Sequence, residues 1–198
     1  MRVGVVDIGT NSTRLMVADV AGDGSVTELE RRSTVTRLGQ GVDTSGTLAQ
    51  EAMDRVFAAL TEYRTIADDL GVEATTGVLT SAVRDASNGA GFQAAIRERF
   101  GFEVDTITGD REAQLTFLGA TSEREPLRDA GPSDRIVVID IGGGSTEFVI
   151  GEGGEVTFHV STQIGVVRQT ERHFAHDPPH HGEMEAMADE VRRVFDEQ

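Results

Sequence analysis

The sequence predicts an α/β protein made of two related halves, and two observations support that prediction. Residues 5–12 (VVDIGTNS) return as residues 138–145 (VIDIGGGS), and in each copy an apolar run ends in an Asp followed by Ile-Gly. The rest of the chain alternates short β-branched runs with longer helical patterns, as α/β folds do. An Asp leaving a buried strand places a carboxylate at the sheet edge, and the following Gly lets N–H groups turn toward an anion. We therefore expect two halves facing each other across a cleft that binds phosphate and a metal ion.

The first half opens with three strands, expected at residues 3–7, 13–19 and 26–32. The glycine-containing connection at 21–24 joins the second and third of these strands as a hairpin turn. A helix follows, for which Thr47 is the expected N-cap and Gln50 its capping-box partner. The apolar positions of this helix keep helical spacing until Gly71, so we assign them to the core.

Strands and helices then alternate to the end of the first half. We expect strands at 75–80 and 102–107, and helices at 90–100 and 111–121. Three antiparallel strands followed by helix-linked parallel strands is the order of a ribonuclease-H-like half. The first half is assigned to residues 1–122, and the polar segment 123–134, which contains Pro126 and Pro132, is the expected hinge.

The second half, residues 135–198, repeats the opening of the first. We expect strands at 135–140, 146–151 and 156–164, and helices at 166–174 and from 183 onward. The last helix is expected to turn its apolar residues inward, and these are Met184, Met187, Val191 and Val194. The two parallel strands that complete the first half have no counterpart here. The second half is therefore expected to be truncated and the sequence to be a fragment.

Composition excludes several classes of protein. The absence of Cys excludes disulfides, thiol catalysis and cysteine metal sites. All 18 basic residues are Arg, which excludes a P-loop lysine, a Schiff-base lysine and the kinase strand lysine. The net charge of −16 argues against a DNA or RNA partner. No apolar run approaches the roughly 20 residues of a membrane span, and the start lacks a signal-peptide pattern. We expect a cytoplasmic protein with no membrane partner.

Five blocks of sequence carry a resemblance to a known family, and they lie at residues 7–14, 80–88, 108–113, 140–147 and 164–171. With these blocks the chain resembles the exopolyphosphatase / guanosine pentaphosphate phosphohydrolase family of the actin–hexokinase–heat-shock-70 superfold. Segments 37–42 and 177–179 resemble actinobacterial members. The resemblance implies ribonuclease-H-like (actin-like ATPase) half-domains, the first complete and the second truncated. It also implies hydrolytic release of phosphate from inorganic polyphosphate or guanosine pentaphosphate, and it leaves a homodimer open.

The resemblance also implies the roles of individual residues. Glu112 matches the family's catalytic base, and Arg84 its phosphate-contacting Arg. The implied direct or water-mediated ligands of Mg²⁺ (or Mn²⁺) are Asp7, Asp140 and Glu147. The implied phosphate-binding residues are Asn11, Ser12, Arg14, Gly142, Gly143, Gly144 and Ser145. One departure stands beside the base, because the family's Glu-Glu-Ala-Arg is Arg-Glu-Ala-Gln at residues 111–114.

Simpler interpretations stay open for several of these residues. A Glu in the first turn of a helix is ordinary dipole chemistry, so Glu112 could be structural. A solvated loop position would explain Arg84, and a salt bridge would explain Arg14 equally well. For the whole chain, the alternatives are a non-catalytic phosphate- or alarmone-binding module, an inactive fragment, and an ATPase or kinase of the same superfold.

Four histidines lie close together in sequence, at positions 173, 176, 180 and 181. Such a cluster could suggest a zinc site. The segment Asp177-Pro178-Pro179 interrupts any single helix face, however, and no Cys supports the histidines. A surface loop is therefore the favoured interpretation.

Overall fold

The chain forms two compact units, Met1–Ile107 and Thr108–Gln198. The computed structural model describes residues 1–122, 135–152 and 155–197. The expected hinge at 123–134 lies outside the described residues, so this boundary stays a prediction. The helix expected at 111–121 belongs by its contacts to the second unit, because it packs against the second sheet.

The first unit is built on a five-stranded sheet of order β3-β2-β1-β4-β5. Its strands are β1 (Arg2–Ile8), β2 (Ser12–Val20), β3 (Val26–Val35), β4 (Ala74–Leu79) and β5 (Val104–Thr106). Its helices are α1 (Val42–Ser45), α2 (Gln50–Asp69), α3 (Ser81–Asp85) and α4 (Gly89–Phe100). β2 runs antiparallel to β1 and β3, while β4 is parallel to β1 and β5 is parallel to β4. This is the order predicted for a ribonuclease-H-like half, and α1 and α3 are short helices that the pattern did not predict.

The start of α2 differs from the prediction. The helix begins at Gln50 with Ala49 as N-cap, and the Thr47 hydroxyl instead donates to Ser45 Oγ at 3.3 Å. The difference is caused by Asn88, a residue distant in sequence. Its Oδ1 accepts from Leu48 N–H at 2.8 Å, and its Nδ2 donates to Leu48 O at 3.0 Å. These two bonds hold Leu48 outside the helix, so the expected Thr47 capping box does not form.

Tyr63 connects α2 to the sheet of the first unit. Its side chain is fully buried, and its hydroxyl donates to the carbonyl oxygen of Thr13 on β2 at 2.8 Å. Burial raises the pKa of Tyr63 above its ordinary value, so the phenol stays neutral and available as a donor. The apolar stripe of α2 therefore packs in the core, as predicted, with Val56 and Leu60 completely buried.

The second unit is a three-stranded antiparallel sheet of order β6-β7-β8 with helices packed against it. Its elements are α5 (Gly109–Thr121), β6 (Arg135–Ile141), β7 (Thr146–Glu152), β8 (Glu155–Thr162), α6 (Val166–His173) and α7 (His181–Asp196). Ala113 and Phe117 on α5 form a small buried core with Val149 on β7. The meander and its following helix match the predicted repeat of the first half's opening.

One face of β6 is exposed, although the sequence predicted a buried strand. Val137, Ile139 and Ile141 alternate along this face, and all three are exposed. Ile139 and Ile141 precede Gly142 in the second turn as Val6 and Ile8 precede Gly9 in the first, but Val6 and Ile8 are completely buried. Nothing among the described residues covers the β6 face as the first unit's core covers β1, so the same pattern ends in a different environment.

The last helix, α7, also differs from the prediction. Met184, Met187, Val191 and Val194 were expected to turn inward. The last three are half-buried, as expected in part, whereas Met184 is exposed and no described residue of the helix is fully buried. It contacts the exposed face of the second sheet through Phe195, whose ring packs edge-on against Phe148 at 5.2 Å.

Within the described part of the chain, no helix combines the length and apolar character that crossing a bilayer requires.

Candidate active site

The two repeated turns have the same backbone geometry. In the first unit, Gly9 N–H donates to the carbonyl oxygen of Ser12 at 2.9 Å; in the second, Gly142 N–H donates to that of Ser145, also at 2.9 Å. Each turn joins two antiparallel strands directly after an Asp. The sequence repeat therefore corresponds to a repeated structural unit at the ends of β1 and β6.

The second turn is supported from behind by the start of α6. Val166 N–H donates to Gly142 O at 2.9 Å, and Val167 N–H to Gly143 O at the same distance. Gly144 O accepts from Arg168 Nε at 2.9 Å. In a trans peptide the C=O and the following N–H point in opposite directions. Because these three carbonyls face α6, the N–H groups of residues 143–145 point away from it, as binding of an anion at this turn would require.

The first turn is supported in the same way by a different segment. Gly39 N–H donates to Thr10 O at 2.8 Å, and the N–H groups of Thr36 and Arg37 donate to Asn11 O at 3.0 and 2.9 Å. By the same peptide geometry, the N–H groups of Asn11 and Ser12 point away from this segment. Both predicted phosphate-binding turns therefore direct N–H groups away from their supports.

A glycine makes each support possible. A Cβ on Gly165 would collide with the backbone of Gly143 and Gly144, and one on Gly39 would collide with the Thr10 side chain. Both glycines lie in segments that resemble the family, 37–42 and 164–171, but their role as supports of the turns was not predicted. The signal that could have found them is a buried aliphatic residue followed by Gly in both places, Leu38-Gly39 and Ile164-Gly165.

The residues opposite the two aspartates differ in charge. Asp7 pairs in register with Arg14, whose guanidinium donates to Asp7 Oδ2 at 3.3 Å. Asp140 pairs in register with Glu147. The salt-bridge interpretation of Arg14 thus holds in this structure, while its phosphate-binding role stays a prediction. Two carboxylates directly opposite each other repel, and a cation between them would remove that repulsion.

The second acidic pair is suited to a hard divalent cation. Glu147 is only 1% exposed and accepts a hydrogen bond from Ser161 Oγ at 2.8 Å, so its position is fixed. Asp140 is exposed and accepts from Thr116 Oγ1 at 3.3 Å. Carboxylate oxygens beside open space for water match what Mg²⁺ prefers. The donor set therefore fits the expected metal, while the roles of Asp140 and Glu147 as its ligands stay predictions.

Glu112 lies near this acidic pair. It stands one helical turn before Thr116 on the same face of α5, and Thr116 contacts Asp140. The helix begins against β8, because Gly109 approaches Ser161 so closely that a Cβ would lie 2.7 Å from its side chain. The Thr108 hydroxyl caps the helix by accepting from Arg111 N–H. The structural interpretation of Glu112 as a first-turn acidic residue and its role as a base both stay open.

The two residues that depart from the family pattern, at positions 111 and 114, lie on the solvent side of α5. Arg111 and Gln114 are both exposed, and the Arg111 guanidinium donates to Gln114 Oε1 at 3.4 Å. Glu112 itself is half-buried. The two substituted residues thus contact each other, one helical turn apart.

Arg84 lies on α3 in the first unit. Its Nη1 donates to Ile107 O at 2.9 Å, and α3 starts beside the first turn, where Ser81 Oγ and Thr10 Oγ1 are 3.0 Å apart. Arg84 is therefore a half-buried, anchored side chain rather than a solvated loop residue. Its contact with phosphate stays a prediction, as do the roles of Asp7, Asn11 and Ser12 in the same unit.

Gln169 on α6 is a functional-site neighbour that sequence reasoning missed. It is 4% exposed, and neither its amide nitrogen nor its amide oxygen has a hydrogen-bond partner among the described residues. A buried amide without partners costs roughly 1–3 kcal/mol.

We expect Gln169→Leu to raise the free energy of unfolding by about 1–2 kcal/mol, because it removes the buried amide and keeps much of the volume. Urea unfolding followed by circular dichroism measures the change. Gln169→Glu, which buries a carboxylate at the same place, is expected to destabilise the protein. A loss of stability in Gln169→Leu would mean that the amide has a partner, such as a bound water, and would contradict the prediction.

Comparison with known proteins places the chain among relatives that share this architecture. Exopolyphosphatase 2 of Mycobacterium tuberculosis is 42% identical over 186 residues, which cover 90% of this chain and 56% of that protein. Exopolyphosphatase 1 of Mycobacterium bovis is 34% identical over 179 residues, covering 90% of this chain and 51% of that protein. The chain thus spans about half the length of the curated relatives it matches.

Solved structures agree with the fold. An exopolyphosphatase from Cytophaga hutchinsonii superposes with a TM-score of 0.86 at 34% identity, covering 98% of this chain and 61% of that one. The Aquifex aeolicus member of the Ppx/GppA family superposes with a TM-score of 0.72 at 33% identity, covering 94% and 58%. A family model described as the Ppx/GppA phosphatase family matches residues 16–198. With the repeated turns, the acidic pair and these matches, the chain belongs to the Ppx/GppA phosphatase family.

Proposed function

We propose that this chain carries the catalytic groups of a phosphohydrolase that releases terminal orthophosphate from inorganic polyphosphate. The observation that supports this most directly is the cluster in the second unit. Glu112 lies one helical turn from Thr116, Thr116 donates to Asp140, and Asp140 stands opposite Glu147. The substrate class comes from the relatives named exopolyphosphatases.

The chemistry of phosphoryl transfer matches the groups in this cluster. Hydrolysis requires a positioned water and the stabilisation of charge that develops on the phosphate oxygens. Glu112 would orient the attacking water and accept its proton. The N–H groups of residues 143–145 would bind the oxygens. Mg²⁺, when held by Asp140 and Glu147, would supply further charge neutralisation. For the first unit, the roles of Arg84 as a phosphate-contacting side chain and of Asp7 as a metal ligand are proposed from the family resemblance alone.

Guanosine pentaphosphate is the second substrate to be tested, because its 5′ end carries the same kind of phosphoanhydride. The experiment compares orthophosphate release from long-chain polyphosphate, guanosine pentaphosphate and ATP, using this chain and any longer natural form. We expect release from polyphosphate with Mg²⁺ or Mn²⁺, and its loss when EDTA removes the metal. Faster turnover of ATP than of polyphosphate would instead favour an ATPase or kinase.

A non-catalytic binding module is the second candidate function, and the exposure of Asp140 favours it. A site whose carboxylate is open to solvent excludes water poorly, which would slow phosphoryl transfer. Calorimetric binding of polyphosphate or guanosine pentaphosphate without phosphate release would support this candidate. A homodimer and a cytoplasmic location stay predictions.

A further inference from the structure

Three side chains with metal-binding atoms meet where the loop after α6 enters α7. The ligand atoms of His176, His180 and Glu183 all lie within 4.8 Å of one another. None of the three belongs to the phosphohydrolase site described above. Although sequence spacing favoured a surface loop, folding of this loop onto the start of α7 brings two imidazoles and one carboxylate together.

The carboxylate is the fixed element of this cluster. Glu183 lies in the first turn of α7, and its Oε2 accepts from His180 N–H at 2.7 Å. Its Oε1 accepts from Ala175 N–H at 2.9 Å and contacts His176 Nδ1 at 2.8 Å. Hydrogen bonding from His176, then from the two N–H groups, lowers the pKa of Glu183 to about 2. Glu183 is therefore an ionised ligand anchored on both the loop and the helix.

The two imidazoles lie against each other. The rings of His176 and His180 stack with their centroids 3.8 Å apart. Zinc binds imidazole nitrogen and carboxylate oxygen at about 2.0–2.2 Å, which places ligand atoms roughly 3.3–3.5 Å apart in a tetrahedron. The present ligand atoms lie within 4.8 Å of one another, and both histidines are exposed, so their side chains have room to rotate toward that spacing.

The other two histidines of the segment have separate partners. His173 Nε2 contacts Glu190 on α7, as Arg172 does, and both bonds tie α6 to α7. His181 is highly exposed, and its Nε2 lies 3.3 Å from Glu185. The segment therefore contains one triad and two His–Glu pairs, and the His181–Glu185 pair provides an internal control.

We propose that His176, His180 and Glu183 form a binding site for a divalent transition-metal ion, Zn²⁺ foremost. The site offers two nitrogens and one oxygen, and water completes the coordination, as in open zinc sites with three protein ligands. Imidazole ligands select Zn²⁺ and related ions over Mg²⁺, which prefers oxygen. The bound ion would clamp the loop that contains His176 to the start of α7.

The test is a calorimetric titration in which Zn²⁺ is added to the metal-free chain. Excess Mg²⁺ is present throughout, so that sites made only of oxygen ligands are already occupied. We expect binding of one ion per chain. His176→Ala, His180→Ala and Glu183→Gln should each weaken it at least about tenfold, since even outer partners of metal ligands contribute that much. His181→Ala is the matched control and should leave the affinity unchanged. Co²⁺ absorption in the visible range would report coordination independently of heat.

The proposal is overturned if no Zn²⁺ binds, if any one of the three substitutions leaves the affinity unchanged, or if His181→Ala weakens binding equally. Thermal unfolding in EDTA shows whether each variant is folded before metal is added. If Glu183→Gln loses its helix cap and fails to fold, the two exposed histidine variants decide the outcome. None of these measurements depends on phosphohydrolase activity.

Discussion

Glu112→Gln is expected to reduce phosphate release from polyphosphate by about 10²–10⁴-fold, the usual contribution of a positioned general base. The amide keeps the size and half-buried position of the side chain but cannot accept the water's proton. The measurement is the steady-state rate of orthophosphate release with Mg²⁺, together with polyphosphate binding by calorimetry. Binding should persist while turnover falls, because the N–H groups of residues 143–145 are unaltered.

The control for this substitution is Asp110→Asn in the same helical turn. Asp110 is exposed, with Oδ1 3.4 Å from His159 Nε2. Both variants remove one negative charge from the N-terminal part of α5, so any effect of the helix dipole should appear in both. Equal rates in the two variants, or an unchanged rate in Glu112→Gln, would contradict the role of Glu112. A loss confined to Glu112→Gln would separate catalysis from helix stabilisation.

Ile8→Ala is expected to destabilise the first unit by about 2–5 kcal/mol, whereas Ile141→Ala in the 198-residue chain should change stability by about 0.5 kcal/mol or less. Both residues follow the Asp of the repeated Asp-Ile-Gly motif. Ile8 is 0% exposed, so its truncation leaves a cavity in the core. Ile141 is 65% exposed, so its truncation removes little packing.

Urea unfolding can measure this difference with a probe in the first unit. Tyr63 is the sole tyrosine and the chain has no Trp, so intrinsic fluorescence reports on the first unit. Far-UV circular dichroism follows the second unit along with the first. If Ile141→Ala were as costly as Ile8→Ala, the β6 face would be covered in solution, which would contradict its exposure here.

Much of the fold follows from local sequence patterns. Period-two strands, the α4 helix ending before Gly101, and the Asp-Ile-Gly turns are determined by backbone preferences of neighbouring residues, so the sequence indicated them correctly. Where the structure differs, the cause is a contact between residues distant in sequence. Asn88, which displaces the predicted Thr47 cap by binding Leu48, is the clearest case.

The candidate site divides in the same way. The motif residues Asp140, Glu147 and Glu112 could be chosen from sequence, since the repeat and the family blocks contain them. Their arrangement could not, because it depends on α5 packing so that Thr116 contacts Asp140. Local sequence patterns likewise could not predict that Arg168 supports the second turn or that the Gln169 amide is buried.

The sequence by itself determined the repeated strand–turn units, the order of the strands along the chain and the family. Only the tertiary structure decided which residues those units face: Arg14 opposite Asp7, but Glu147 opposite Asp140, and a covered Ile8 but an exposed Ile141. It also gathered His176, His180 and Glu183 across a segment that breaks helical periodicity. The physical reason is that backbone preference acts over a few residues, whereas burial, charge pairing and metal-ligand geometry arise from elements packed together across the chain.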